Sequence, residues 1–328
     1  MVQVVCLGEV LIDFVSLESG VSLIEAPAFK KAAGGAPANV AVGLARLGHN
    51  VGFVGKVGQD SFGEFLIGIL KENQVNVSGI ATDADARTML AFVSLRQDGE
   101  RDFMFYRHPS ADMRLTPEEI PETMVANASI FHYGSISLIS EPCRSATFHA
   151  LEIAKKAGVM ISYDPNLRLN LWPNAETARQ EILNGMRFAD FMKINDDELE
   201  FLTGTRQLHD GATRLRSFGP ALIVITSGSG GSYFYSDRAE GMVSGYRVQA
   251  VDTTGAGDGF VAGFLSCLLR CVKSGEPFVA PAHAELEACC RFANAVGAIA
   301  TLTRGAIPAL PTRAQVEEFI KHQGTVGM

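Results

Sequence analysis

Short apolar runs alternate with stretches of helical period along most of the chain. VVCLGEVLID, VAVGLARLG, VGFVGKVG and FGEFLIGILKENQ open the series. It resumes with ASIFHYGSI, TFHALEIAKKAG, VMISYDPN, EILNGMRFADFMKIN, ALIVITSG and GFVAGFLSCLL. This alternation predicts an α/β fold with a mainly parallel sheet and covering helices. The polar endings SYDPN, KIN and TSG fall where such sheets bind ligands, at the carboxyl ends of strands.

Two segments break the rhythm. Residues 88 to 107, TMLAFVSLRQDGERDFMFYR, alternate in period two on both sides of Asp98-Gly99, a hairpin signal. Residues 13 to 31 also lack helical period. Together these excursions predict a small β lid, leaving 1–12, 32–87 and 108–328 as the main domain. Within the lid Phe103 and Phe105 share one face, and Met104 and Tyr106 share the other.

Composition narrows the classes. A chain of 328 residues with 47% hydrophobic and 20% charged residues builds a large core and is not globally disordered. The net charge of −8 argues against nonspecific nucleic-acid binding, which requires an excess of Lys and Arg. No apolar run approaches a membrane span, so neither nucleic acid nor membrane is expected as a partner. The first residues carry no basic segment and meet Glu9 and Asp13 early, so they read as a strand, not a signal peptide. Six cysteines lack zinc spacing, and Cys267 and Cys271 read as buried thiols, although four-residue spacing also fits a metal face. The expected compartment is the reducing cytoplasm.

Chemistry concentrates in DTTGAGDGF, residues 252 to 260. Beyond Asp258, Phe260, Val261, Phe264, Leu265, Leu268 and Leu269 recur at helical spacing, so the loop opens a helix. Amides of Gly255, Ala256 and Gly257 at such a terminus converge as an anion hole that a phosphoryl group approaches closely. Asp258 is more useful there as a proton acceptor than as a phosphate ligand, and the combination suggests phosphoryl transfer. Taken alone, the motif is equally an N-capping aspartate behind a glycine turn. No GxxxxGK[ST] loop exists in the chain.

A second stretch, AAGGAPANVAVGLARLG, sets Gly34-Gly35 before Pro37 and Asn39. A helix follows whose Val40, Leu44 and Leu47 share a face, closed by Gly48. Paired glycines admit a ligand to the backbone, and Asn39 offers a polyol both a donor and an acceptor.

GGAPANVAVGLARLG and DTTGAGDGFVAGF together resemble the two signatures of the ribokinase-like, or PfkB-type, carbohydrate kinases, in the right order and over essentially the whole chain. The resemblance implies a doubly wound α/β domain with a β lid, and transfer of the ATP γ-phosphoryl group to a sugar hydroxyl. It implies Asp258 as base, an anion hole from Gly255 to Asp258, and sugar contacts from Asp13, Gly34, Gly35 and Asn39. Asn195 and Glu198, in KINDDE, match the NxxE motif that organises Mg²⁺ and phosphate, with Glu198 acting through water; otherwise Glu198 is an acid in a first helical turn. Thr226, Ser227, Gly228 and Gly231 resemble the nucleotide segment, although the family often has a larger residue at the position of Ser227. Asn294 lies in the stretch similar to the adenine wall. Asp252 and Thr254 match a K⁺ site of some members.

DPNLR, FYRHPSADMRL and GAIPALPT are similar to the fructokinase branch. That likeness implies Arg168 reaching sugar or phosphate, and a lid presenting Phe103, Phe105 or Arg107 over the ring; otherwise each arginine is a surface group or an ion-pair partner. The sibling readings are a 2-keto-3-deoxygluconate kinase, a ribokinase and a nucleoside kinase. More distant ones are a noncatalytic sugar or nucleotide sensor and a glycosidase using Asp13 and Asp258. Exposed lid strands offer edges at which a second copy pairs into a homodimer.

Overall fold

The computed structural model describes residues 1–95, 101–273 and 275–326. Its strands are β1 (Val4–Leu7), β2 (Leu11–Ser16), β3 (Phe29–Gly34), β4 (Val51–Gly58), β5 (Asn76–Asp83), β6 (Leu90–Leu95), β7 (Arg101–Tyr106), β8 (Ile130–Tyr133), β9 (Met160–Tyr163), β10 (Phe191–Asn195), β11 (Leu222–Thr226), β12 (Ser232–Ser236) and β13 (Glu240–Val243). Its helices are α1 (Ala36–Arg46), α2 (Ser61–Glu72), α3 (Glu122–Ala126), α4 (Cys143–Lys156), α5 (Ala175–Met186), α6 (Asp196–Thr203), α7 (Leu208–Arg216), α8 (Ala256–Leu268), α9 (His283–Ala300), α10 (Ala306–Ala309) and α11 (Arg313–Val326).

Nine strands form one sheet in the order β13-β12-β11-β10-β9-β8-β1-β4-β5. From β11 to β5 every pairing is parallel; β12 and β13 close one edge antiparallel. Strand β1 lies between β4 and β8 and is buried on both sides, so its apolar run is continuous instead of alternating. Val4 and Cys6 enter a core with residues of α1, α2, α8 and α9, whereas Val5 and Leu7 enter another with residues of α4, α5, α6 and α7. Two cores on opposite faces are what a doubly wound sheet requires.

The excursions from the α/β rhythm form a separate sheet, β3-β2-β6-β7. Strand β2 pairs antiparallel with β3 and parallel with β6, and β6 pairs antiparallel with β7. Asp98-Gly99, read from the sequence as the hairpin turn, lies outside the described residues. In register, Asp13 sits opposite Ala91, which sits opposite Phe105, so these residues share a face. Phe103 and Phe105 stack on that face with centroids 6.0 Å apart, and Phe105 packs with Leu11, Met89, Ala91 and Leu171. The opposite face carries an aromatic series, Phe14 on Phe92 at 5.0 Å and Phe92 on Tyr106 at 5.5 Å. Leu171 of the main domain packs on the Phe103 and Phe105 face, and Phe62 of α2 packs on Phe14 of the other at 5.7 Å.

Candidate active site

Two helix starts meet at one point beyond the sheet. At α1, Gly35 adopts φ 106°, and a side chain there would strike Glu9 O at 2.4 Å, so the chain needs glycine. The next amide, Ala36 N, donates to Glu9 Oε1 at 3.0 Å. One turn on, buried Asn39 donates from Nδ2 to Asp258 Oδ2 at 2.8 Å. Its Oδ1 is buried without a hydrogen-bond partner. A lone buried acceptor is costly unless a ligand hydroxyl completes it.

At α8, Gly255 is left-handed with φ 77°, and a Cβ there would meet Ala306 at 2.7 Å. Asp252 braces the turn: Oδ1 accepts from Thr254 N and Oγ1 at 2.9 and 2.7 Å, and Oδ2 accepts from Gly305 N at 2.9 Å. No side chain caps α8. Of the three amides read from sequence as the anion hole, that of Ala256 turns back to Thr253 O at 3.3 Å, because the tight turn into the helix satisfies it locally. That amide is thereby already satisfied within the chain.

Asp258 is buried, and desolvation pushes its carboxyl up to about 6. The Asn39 hydrogen bond and the cations of Lys193 and Arg168 pull the other way, and Asp164 adds to the rise. The result is an acid poised to take a proton near neutral pH.

Lys193, buried at the centre of β10, forms an ion pair with Asp164 at 3.2 Å. A Cβ on Gly257 would lie 3.2 Å from its Nζ, so the ammonium stands against the helix start. Asp164, Glu198 and Asp258 hold its pKa up against desolvation. Arg168 is half-buried, follows the left-handed Asn166 (φ 45°) and lies near enough to Asp258 to stabilise its ionised form.

Glu198 and Asn195 form a reciprocal cap on α6: Glu198 N donates to Asn195 Oδ1 at 2.8 Å, and Asn195 N to Glu198 Oε2 at 2.9 Å. Glu198 Oε1 accepts from Leu167 N at 2.7 Å, beside Arg168. Each carboxylate oxygen thus keeps one lone pair, which suits a water of a Mg²⁺ shell and not a bidentate ligand. Burial raises the Glu198 pKa, with Lys193 opposing.

Along β11 and its turn, Thr226 Oγ1 donates to Ile194 O at 3.3 Å and Ser227 Oγ to Asp196 Oδ1 at 2.8 Å. Gly228 opens a short helical turn, and Gly231 (φ 103°) lets the chain pass Val243 O, 2.0 Å from where its Cβ would stand. Asn294 is buried and spends its Nδ2 on Val243 O and Ser244 O at 3.2 and 3.3 Å, pinning that segment to α9.

Asp13 Oδ2 lies 2.1 Å from the Cβ position of Gly34, so carboxylate and glycine loop are in contact. Arg107 departs from the expected place over a sugar ring. It is buried, paired to Asp112 at 2.8 Å and donating to Ile136 O at 3.2 Å, because a guanidinium removed from water needs a fixed counter-ion. The sequence reading passed over Lys193, Asp164 and Glu9. The first two stand in the flagged strand endings KIN and SYDPN, but their pairing across adjacent strands is visible only in three dimensions.

A doubly wound sheet, a small second sheet beside it, and a buried acid at a glycine-rich helix start beside a lysine define a sugar-phosphorylating enzyme. Residues 1–313 match the family model described as pfkB family carbohydrate kinase, and the chain belongs to that family. It is 53% identical over 319 residues to "Probable fructokinase-6, chloroplastic" of Arabidopsis thaliana, covering 97% of this chain and 82% of that protein. The solved fructokinase of Xylella fastidiosa with bound ATP superposes with a TM-score of 0.88 at 36% identity, covering 98% of this chain and 99% of that one. The Vibrio cholerae O395 fructokinase bound to fructose, ADP and calcium gives 0.86 at 35% identity, with 97% and 99% covered.

Proposed function

We propose that this protein is an ATP-dependent fructokinase, converting D-fructose and ATP to fructose 6-phosphate and ADP. The observation that carries the reading is the buried Asp258 carboxyl, raised to about 6 and tied at 2.8 Å to Asn39, whose Oδ1 has no partner. Asn39 Oδ1, Asp13, the Gly34-Gly35 backbone and Arg168 hold the sugar hydroxyls, and Phe103 covers the ring. Asp258 takes the proton from the attacking hydroxyl, while the amides at the start of α8 and the Lys193 ammonium balance the charge on the moving phosphoryl group. Thr226 to Gly231 and the segment fastened by Asn294 receive the nucleotide. When bound, Mg²⁺ neutralises phosphate charge; Asn195 and Glu198 hold it through water.

K⁺ is assigned to Asp252 and Thr254, behind the anion hole. Among the described residues no group of three or more His, Cys, Asp or Glu could hold a metal ion. A second copy pairs through the part of the lid where Met104 and Tyr106 are exposed beside Phe92. Among the described residues no helix is long and apolar enough to cross a membrane, and six free thiols suit the cytoplasm.

The test is coupled ADP release with ATP, Mg²⁺ and K⁺ over fructose, 2-keto-3-deoxygluconate, ribose, glucose, adenosine and no sugar. Fructose-dependent turnover is expected. Turnover confined to another acceptor replaces the substrate and keeps the mechanism, and binding without turnover makes the protein a sensor.

A further inference from the structure

Helices α8 and α9 pack antiparallel with their closest approach at a glycine. A Cβ on Gly263 would meet Ala293 Cα at 2.9 Å, and one on Gly259 would meet Ala300 and Val296 at 3.4 and 3.6 Å. One turn forward from Gly263 is Cys267, and one turn back from Ala293 is Cys289. The two thiols therefore stand on facing turns across this interface.

Their surroundings are unequal. Cys267 lines a cavity of about 440 Å³, whose walls include Arg270, Arg291, Phe292, Arg313 and Glu317. The neighbouring Cys289 thiol, and then the Arg270 and Arg313 cations of the same cavity wall, favour a thiolate against burial and bring Cys267 down to about 7. Cys289 does not line this cavity, and its thiol is pushed up by the neighbouring Cys267 and by burial. Burial also raises Cys6, Cys143, Cys271 and Cys290, so Cys267 is the one cysteine of the six poised to ionise.

We propose that Cys267 and Cys289 are a peroxide-reactive dithiol, in which Cys267 is oxidised from the arginine-walled cavity and Cys289 closes a disulfide joining α8 to α9. The Cys267 thiolate attacks one oxygen of hydrogen peroxide; the O–O bond breaks, giving a sulfenic acid and a hydroxide that takes up the proton released by the thiol and leaves as water. The Cys289 sulfur then attacks the Cys267 sulfur, the S–O bond breaks, and the departing hydroxide takes the Cys289 proton to leave as a second water. Two thiols lose two electrons, and one peroxide is reduced to two waters.

The site is distinct from the kinase centre. Nine residues separate Cys267 from Asp258 along α8, roughly 13 Å at the helical rise, so oxidation does not consume the base.

The experiment treats the full-length reduced protein with hydrogen peroxide, blocks remaining thiols with an alkylating reagent, and maps tryptic peptides. Residues 248–270 carry Cys267, and 274–291 carry both Cys289 and Cys290, which fragmentation distinguishes. The expected product is a crosslink of these peptides through Cys289, reversed by dithiothreitol, with Cys267 lost at least about tenfold faster than Cys6 or Cys143. In Cys289→Ser the crosslink disappears and a dimedone-trapped sulfenic acid on Cys267 takes its place; Cys290→Ser leaves the crosslink intact. Oxidation of Cys267 no faster than Cys6, or a link through Cys290 or Cys271, overturns the proposal. The wild-type map decides by itself if a variant fails to fold.

Discussion

Lys193 Nζ stands 3.2 Å from the point where Gly257 would carry a Cβ, so a fully enclosed ammonium touches the backbone that opens α8. The same ammonium pairs with Asp164 at 3.2 Å. Burying a cation costs several kcal/mol even when paired, and it stands here at the helix start proposed to receive the phosphoryl group.

Replacing Lys193 by Met therefore has two separable effects. Turnover falls about 10² to 10³-fold from loss of one preorganised charge, and Asp164, left buried and unpaired, destabilises the fold by about 3 to 5 kcal/mol. Adding Asp164→Asn restores the unfolding midpoint but not turnover. Recovery of both in the double variant would confine Lys193 to a packing role.

For Asp258→Asn, kcat drops about 10² to 10⁴-fold while calorimetric binding of nucleotide and sugar persists. In the wild type, protonation of a carboxyl at about 6 gives the kcat/KM profile an acidic limb near that pH. Asn39→Ala removes a hydrogen bond to the ionised form, so its limb moves to higher pH. A limb that stays in place would detach Asn39 from the base.

Gly34→Ala and Gly68→Ala make a contrasting pair. At Gly34 the new methyl lands 2.1 Å from Asp13 Oδ2, so Asp13 shifts and KM for the sugar rises. At Gly68, inside α2, a Cβ meets nothing within 4 Å, and the melting temperature rises with a gain of about 0.5 to 1 kcal/mol. Equal sugar KM values in the two variants would separate Gly34 from the sugar site.

The pH dependence of stability tests Glu9. Burial raises its carboxyl from an ordinary 4.5 to about 7, outweighing the amide of Ala36. A raised acid favours the folded state while protonated, so this contribution is whole below pH 4.5 and is lost as pH climbs through 7. At about 1.4 kcal/mol per pH unit the loss is on the order of 3 kcal/mol. Glu9→Gln, which still accepts from Ala36 N, is thus more stable than wild type at pH 8 and nearly equal at pH 4.5, as urea titrations at the two pH values measure.

Features set by short-range chemistry were legible in the chain. GGAPAN and DTTGAGD announced two helix starts because glycine conformations and helical period are local, and alternation announced the small sheet. What escaped depends on partners distant in sequence. Arg107 looked like a ligand contact, but Asp112 and Ile136 claim it within the fold. Lys193 looked like an ordinary strand residue until the pairing of β10 with β9 brought it to Asp164. Cys267 was counted with Cys271 along its own helix; its partner, Cys289, comes from the next one.

The first excursion of the small sheet, β2 and β3, leaves and rejoins the main domain through very short connections. Three residues, Gly8 to Val10, separate β1 from β2, and Gly35 alone separates β3 from α1. Glu9 on the inbound strap grips the first amide of α1, just past the outbound one. Both ends of this excursion are thus fastened at the start of the helix whose Asn39 holds the Asp258 carboxylate, so loosening the Glu9 contact is expected to disturb Asp258 as well.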